Sequence, residues 1–127
     1  MRAAVSPLEY RVAPESEIPE RGGVLAILGE LEVGVFRVGG QLVAYENRCM
    51  HQGGPVCTGE IVGRYAQVLN ADGTVAGERF DESEPHLVCP WHGWEYELAT
   101  GACTGDRRFH LRRYPVTVRD GDVYVRA

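Results

Sequence analysis

Apolar and polar residues alternate along this chain in short stretches with the two-residue period of β-strands, not the 3.6-residue period of helices. Val24-Leu25-Ala26-Ile27-Leu28 is an apolar run bounded by Gly22-Gly23 and Gly29. Val33-Gly34-Val35-Phe36-Arg37-Val38 is rich in β-formers, and Gly39-Gly40 supplies a two-residue hairpin turn into Gln41-Leu42-Val43-Ala44-Tyr45-Glu46. Near the end, residues 114–119 and 123–126 alternate with period two around the turn Asp120-Gly121-Asp122. Tyr10-Arg11-Val12 is a weaker candidate. The 16 Gly and 7 Pro would interrupt most helices. The pattern predicts an all-β fold built of several small antiparallel sheets or a partial barrel.

The segment from about residue 60 to 85 stands apart. It holds the turn signal Asn70-Ala71-Asp72-Gly73-Thr74 and ends in the acidic, strand-breaking Asp81-Glu82-Ser83-Glu84-Pro85. It reads as an excursion with a small hairpin running from residues 65–69 to 78–80. No repeat or low-complexity tract divides the chain, so 127 residues predict a single domain, 1–127, with an extended excursion.

Composition narrows the function. A hydrophobic fraction of 44% excludes a wholly disordered chain. Eighteen Asp+Glu against 13 Lys+Arg give a formal net charge of −5, which argues against a nucleic-acid partner and suits docking onto basic patches. No apolar stretch approaches the roughly 20 residues of a membrane span. Residues 1–7 have no apolar signal region, which points to a cytoplasmic address. In that compartment the four Cys read as metal ligands or thiols before disulfides.

Two clusters combine Cys with His: Cys49-Met50-His51-Gln52-Gly53-Gly54-Pro55 and Cys89-Pro90-Trp91-His92-Gly93-Trp94. Each follows a strand-like run, and its Cys/His pair is followed by Gly, whose missing Cβ permits a tight turn with positive φ. Pro90 stiffens the second turn. Two such turns can present Cys49, His51, Cys89 and His92 to one centre. Two thiolates and two imidazoles also satisfy tetrahedral zinc, so the donor types alone leave the metal open.

The spacing C-x-H followed by C-x-x-H resembles the Rieske iron–sulfur family, and Cys49-Met50-His51-Gln52-Gly53 with Cys89-Pro90-Trp91-His92-Gly93-Trp94-Glu95-Tyr96 look like its two cluster-binding loops. The resemblance runs from about Val24 to Val125. It implies one [2Fe–2S] cluster held at two hairpin loops, with Cys49 and Cys89 on one iron and His51 and His92 on the other. Neutral imidazoles lessen the negative charge an incoming electron meets, so such centres span about −150 to +300 mV against about −400 mV for all-Cys ferredoxins. High-potential family members carry a Ser two positions after the second His, where this chain has Trp94; the expected potential is therefore in the lower half of that range. They also carry a bridging Cys pair at positions that here are Gly54 and Trp91, so that bridge cannot form. The 37 residues between His51 and Cys89 are far more than simple members have.

The resemblance implies a soluble Rieske-type ferredoxin, not itself an enzyme, that carries single electrons from a flavoprotein reductase to a terminal oxygenase. The alternative is a small non-catalytic redox subunit similar to nitrite reductase small subunits. The remaining candidates read more simply. His86 and His110 are expected to be ordinary surface histidines, and Cys57 and Cys103 buried or half-buried thiols. Arg107, Arg108, Arg112 and Arg113 are expected to form a solvated basic face. Trp91, Trp94 and Tyr96 are expected to shield the centre from water.

Overall fold

The computed structural model describes residues 8–50, 53–91 and 93–127. Among the described residues the named strands all pair antiparallel. The chain divides into two compact units.

The first unit takes both ends of the chain, up to Asn47 and from Arg112. Strands β2 (Gly23–Leu28), β3 (Leu31–Val38), β4 (Gln41–Glu46) and β8 (Arg113–Tyr114) form one sheet in that order. Strands β1 (Glu9–Pro14), β10 (Asp122–Arg126) and β9 (Val116–Arg119) form another. Their core is Ile18, Leu28, Val33, Val35, Ala44, Val123 and Val125. The turn between β3 and β4 falls on Gly39-Gly40, both at positive φ, and the carboxylate of Glu20 accepts both of their N–H groups at 2.7 and 2.8 Å. Asp120-Gly121 makes the same positive-φ turn between β9 and β10. One expectation needs correction here: residues 114–119 are not one strand. Pro115 lacks the N–H a ladder needs, and the run splits there into β8 and β9, which belong to different sheets.

The second unit is Arg48–Leu111. Strands β5 (Glu60–Leu69), β6 (Val75–Val88) and β7 (Glu95–Glu97) form its sheet in that order, preceded by a 3-10 turn at Val56–Thr58. Val56, Leu87, Tyr96 and Leu98 are fully buried in it. The hairpin expected between residues 65 and 80 is real but far longer. It pairs Glu60 with Val88 at its root and Leu69 with Val75 beside the turn. The acidic segment at 81–85 does not break the strand. The register jumps from Gly63↔Pro85 to Arg64↔Asp81, so Glu82, Ser83 and Glu84 are absorbed as an irregular bulge.

Candidate metal centre

Both cysteine loops belong to the second unit. The first leaves β4 and runs into the 3-10 turn. Cys49 donates its N–H to the Gly54 carbonyl at 2.8 Å, and Gly53 donates back to the Cys49 carbonyl at 2.9 Å. The second loop closes the β6–β7 hairpin, with the Cys89 N–H on the Trp94 carbonyl at 2.8 Å. Gly53 and Gly93 both sit at positive φ, 73° and 70°, the geometry their sequence context predicts.

These loops bring the two cysteines together. Cys49 is 2% exposed and Cys89 1% exposed. Burial pushes the Cys89 thiol up; the Trp91 amide donates to its sulfur and opposes this, and a hydrogen bond with Cys49 adds to it. Tyr96 in β7 is fully buried, with its hydroxyl 3.1 Å from Cys49 Sγ. The Met50 N–H donates to the same hydroxyl oxygen at 3.0 Å, and toward a Cys49 thiolate, which has no proton, the phenolic O–H is the donor. Burial first, and then the Cys49 contact, hold the Tyr96 hydroxyl well above the ordinary phenol range, so it stays a donor. Each sulfur thus has a donor beside it, the Trp91 amide at Cys89 and the Tyr96 hydroxyl at Cys49, and such donors suit sulfurs that carry negative charge on a metal. The described donor set therefore fits an iron–sulfur group.

His51 and His92 lie outside the described residues. Among the described residues no three His, Cys, Asp or Glu converge as a metal site. Met50 and Trp91, which immediately precede the two histidines, are 48% and 49% exposed. Trp94 is half-buried and meets the Phe109 ring at 6.3 Å, while Tyr96 is the aromatic that touches a cysteine sulfur.

The other candidates sort differently from one another. Cys57 and Cys103 are buried free thiols, as expected. His110 is exposed, as expected. His86 is not a surface histidine: it is 3% exposed, with Nδ1 3.0 Å from Glu95 and Nε2 3.1 Å from Glu84. Glu84 in turn meets Arg64 at 2.8 Å. The reason is topological, because His86 lies where β6 runs between β5 and β7. In the basic run, Arg107 pairs with Glu97 and Arg108 with Asp106, at exposed positions.

A family model for the Rieske [2Fe-2S] domain matches residues 9–115. The chain belongs to the Rieske family. A human Rieske domain-containing protein is 29% identical over 90% of this chain and 71% of its own length. The cytochrome b6-f complex iron-sulfur subunit of Chlorobaculum tepidum is 26% identical over 92% of this chain, which spans only 52% of that subunit. Among solved structures, a Mycobacterium tuberculosis protein assigned as the small subunit of an NADH-dependent nitrite reductase matches with a TM-score of 0.68 at 19% identity, covering 95% of this chain and 96% of that one. The ferredoxin of carbazole 1,9a-dioxygenase from Nocardioides aromaticivorans matches with a TM-score of 0.62 at 22% identity, covering 95% and 97%. At such identities these two likenesses speak for the fold. Membership of the Rieske family implies a [2Fe–2S] cluster, and the paired cysteines suit it. No helix among the described residues is long and apolar enough to cross a membrane.

Proposed function

We propose that this Rieske domain is a cytoplasmic electron carrier that takes single electrons from a flavoprotein reductase and delivers them to a terminal oxygenase or other redox enzyme, with no substrate chemistry of its own. It would hold one [2Fe–2S] cluster, with Cys49 and Cys89 as thiolate ligands and His51 and His92 as imidazole ligands. The group, when bound, supplies a site that accepts and releases one electron. The protein's own residues do the rest. The loop glycines fix the two sulfurs side by side, and the Trp91 amide and Tyr96 hydroxyl offset negative charge on them. The observation that carries this reading is the buried Cys49–Cys89 pair with Tyr96 hydrogen-bonded to one member.

A second reading, a small redox subunit of a larger reductase, draws support from the fold shared almost end to end with the Mycobacterium tuberculosis protein. Co-purification with a large subunit would favour it over a free ferredoxin.

The direct test is anaerobic purification with iron and sulfide counts and paramagnetic resonance of the reduced protein. A red-brown protein with equal iron and sulfide is expected. Replacing Cys49, His51, Cys89 or His92 with Ala should each abolish the Rieske signal. A colourless preparation that reconstitution leaves without sulfide would end the proposal, and zinc in its place would make the centre structural.

A further inference from the structure

Past β7 the β5–β6 ribbon continues alone. Of β6, β7 pairs with His86, Leu87 and Val88. From Arg64↔Asp81 to Leu69↔Val75, neither strand has a second neighbour among the described residues. At about 3.3 Å per residue this arm reaches about 20 Å. Two-stranded ribbons are marginal in water, yet this one turns apolar side chains outward. Tyr65 stands opposite Phe80 and Leu69 opposite Val75. Alternation puts Tyr65, Gln67 and Leu69 on one face, so the four apolar side chains share it. They are 44%, 55%, 59% and 53% exposed in the order Tyr65, Phe80, Leu69, Val75. The Tyr65 and Phe80 rings meet edge to face at 6.0 Å, and the Tyr65 hydroxyl donates to Glu78 at 3.0 Å, which fixes the face in one shape. Residues 65–69 hold no charge, Pro or Gly, the usual protections of an open edge.

Charge indicates what covers this face. Residues 60–88 hold six acidic and two basic side chains, a net of −4 out of −5 for the whole chain. The rest of the molecule is nearly neutral. A second copy would bring two acidic ribbons together, and nucleic acid or an anionic membrane would be repelled in the same way. We propose that the ribbon is a docking arm for a redox protein whose contact face is apolar at its centre and rimmed by Lys and Arg. This rests on reading the chain as an electron carrier. Glu60 pairs with Val88, the residue before Cys89, so the arm is rooted at the second cysteine loop. The carboxylates steer the partner, and the Tyr65–Phe80 pair gives it an apolar anchor. So small a contact matches the short-lived encounters of redox proteins, which bury less than about 1,200 Å².

Oxidised cytochrome c is the probe, because lysines ring its apolar contact face. Its binding to the oxidised holoprotein is measured by titration calorimetry at low and at near-physiological salt. Binding should weaken steeply with salt. Phe80→Ser should weaken it about tenfold with the visible circular dichroism unchanged. Glu60→Gln with Glu78→Gln should flatten the salt dependence, whereas Glu17→Gln with Glu30→Gln, equal in charge and placed on the other unit, should leave it as it was. If Phe80→Ser disturbs the fold, the two charge variants decide alone. Equal effects from both charge pairs, or no salt-dependent binding at all, would overturn the arm. A dimer in sedimentation that Phe80→Ser dissolves would make the ribbon a self-interface and overturn it equally. Reversible reduction by dithionite is recorded on the same samples. Its loss speaks against the electron carrier, and its retention without binding speaks against the arm alone.

Discussion

The indole of Trp91 lies so close to Gly54 that a β-carbon built on the glycine would stand 2.9 Å from ring atoms Cγ and Cδ2. The contact ties the two cysteine loops together. Gly54 accepts the Cys49 N–H through its carbonyl, and the Trp91 amide supports the Cys89 sulfur. Gly54→Ala should therefore destabilise the protein by about 1–3 kcal/mol through overpacking. Trp91→Ala removes the ring but keeps its own β-carbon, 3.0 Å from the same point, so in that background the same substitution should cost less. Denaturant unfolding of the four proteins gives the coupling. Additivity within about 0.5 kcal/mol would show that the ring does not constrain the glycine.

Tyr96→Phe should lower the reduction potential. The hydroxyl donates to Cys49 Sγ, and that sulfur is more negative when the site is reduced, so the bond favours the reduced state. The thiolate is present in both states, so only the difference between two hydrogen bonds counts. On a scale of about 59 mV per tenfold change for one electron, the expected fall is on the order of tens of millivolts. Protein-film voltammetry reads it, and a rise in potential would reverse the assigned role of the hydroxyl.

Much of this was legible in the sequence because it is local. The Gly39-Gly40 and Asp120-Gly121 turns, the apolar strands and the two Cys/His loops each declare themselves within a few residues. What escaped depends on partners distant in sequence. The alternation around Pro115 reads as one strand, but only the competing ladders of β4 and β10 reveal that it serves two sheets. His86 looks like a surface residue until β5 and β7 flank β6 and cover it, with Glu95 of β7 on Nδ1 and Glu84 of β6 itself on Nε2. The acidic run at 81–85 looks strand-breaking in the sequence because propensity ignores a bulge that stores the extra residues. By its place in the sequence Tyr96 is a shield, yet its contact with Cys49, 47 positions earlier, is made only when the two loops meet.

Gly59 is indispensable for a different reason. A β-carbon there would overlap the carbonyl oxygen of Val88, backbone that cannot yield as a side chain does. Val88 precedes Cys89, so relief of the clash on that side displaces the second cysteine loop. Gly59→Ala should cost more than about 3 kcal/mol and yield little protein that retains iron. Iron content and the thermal midpoint of the purified variant measure this. A variant with parental values would mean the two backbones separate freely.

Arg107→Ala should expose a pH-dependent term at the edge of the sheet. Arg107 donates to the Glu97 carboxylate at 2.9 Å and the Thr100 hydroxyl donates to it at 2.8 Å, and these bonds hold the Glu97 carboxyl below its ordinary 4.5. A carboxyl depressed in the folded state adds stability that is fully present above the unfolded value and is lost as pH falls through the folded one. Without Arg107 most of that contribution disappears at every pH. The variant should thus be less stable than the parent at neutral pH. The gap should start to narrow near pH 4.5 and close below the folded value. Glu97 is partly open to water, and exposed pairs are weak, so the gap is expected to be small. Unfolding midpoints of both proteins between pH 3 and 7 trace it. A gap that stays constant to the acid end would assign the loss to packing of the Arg107 stem instead of its charge.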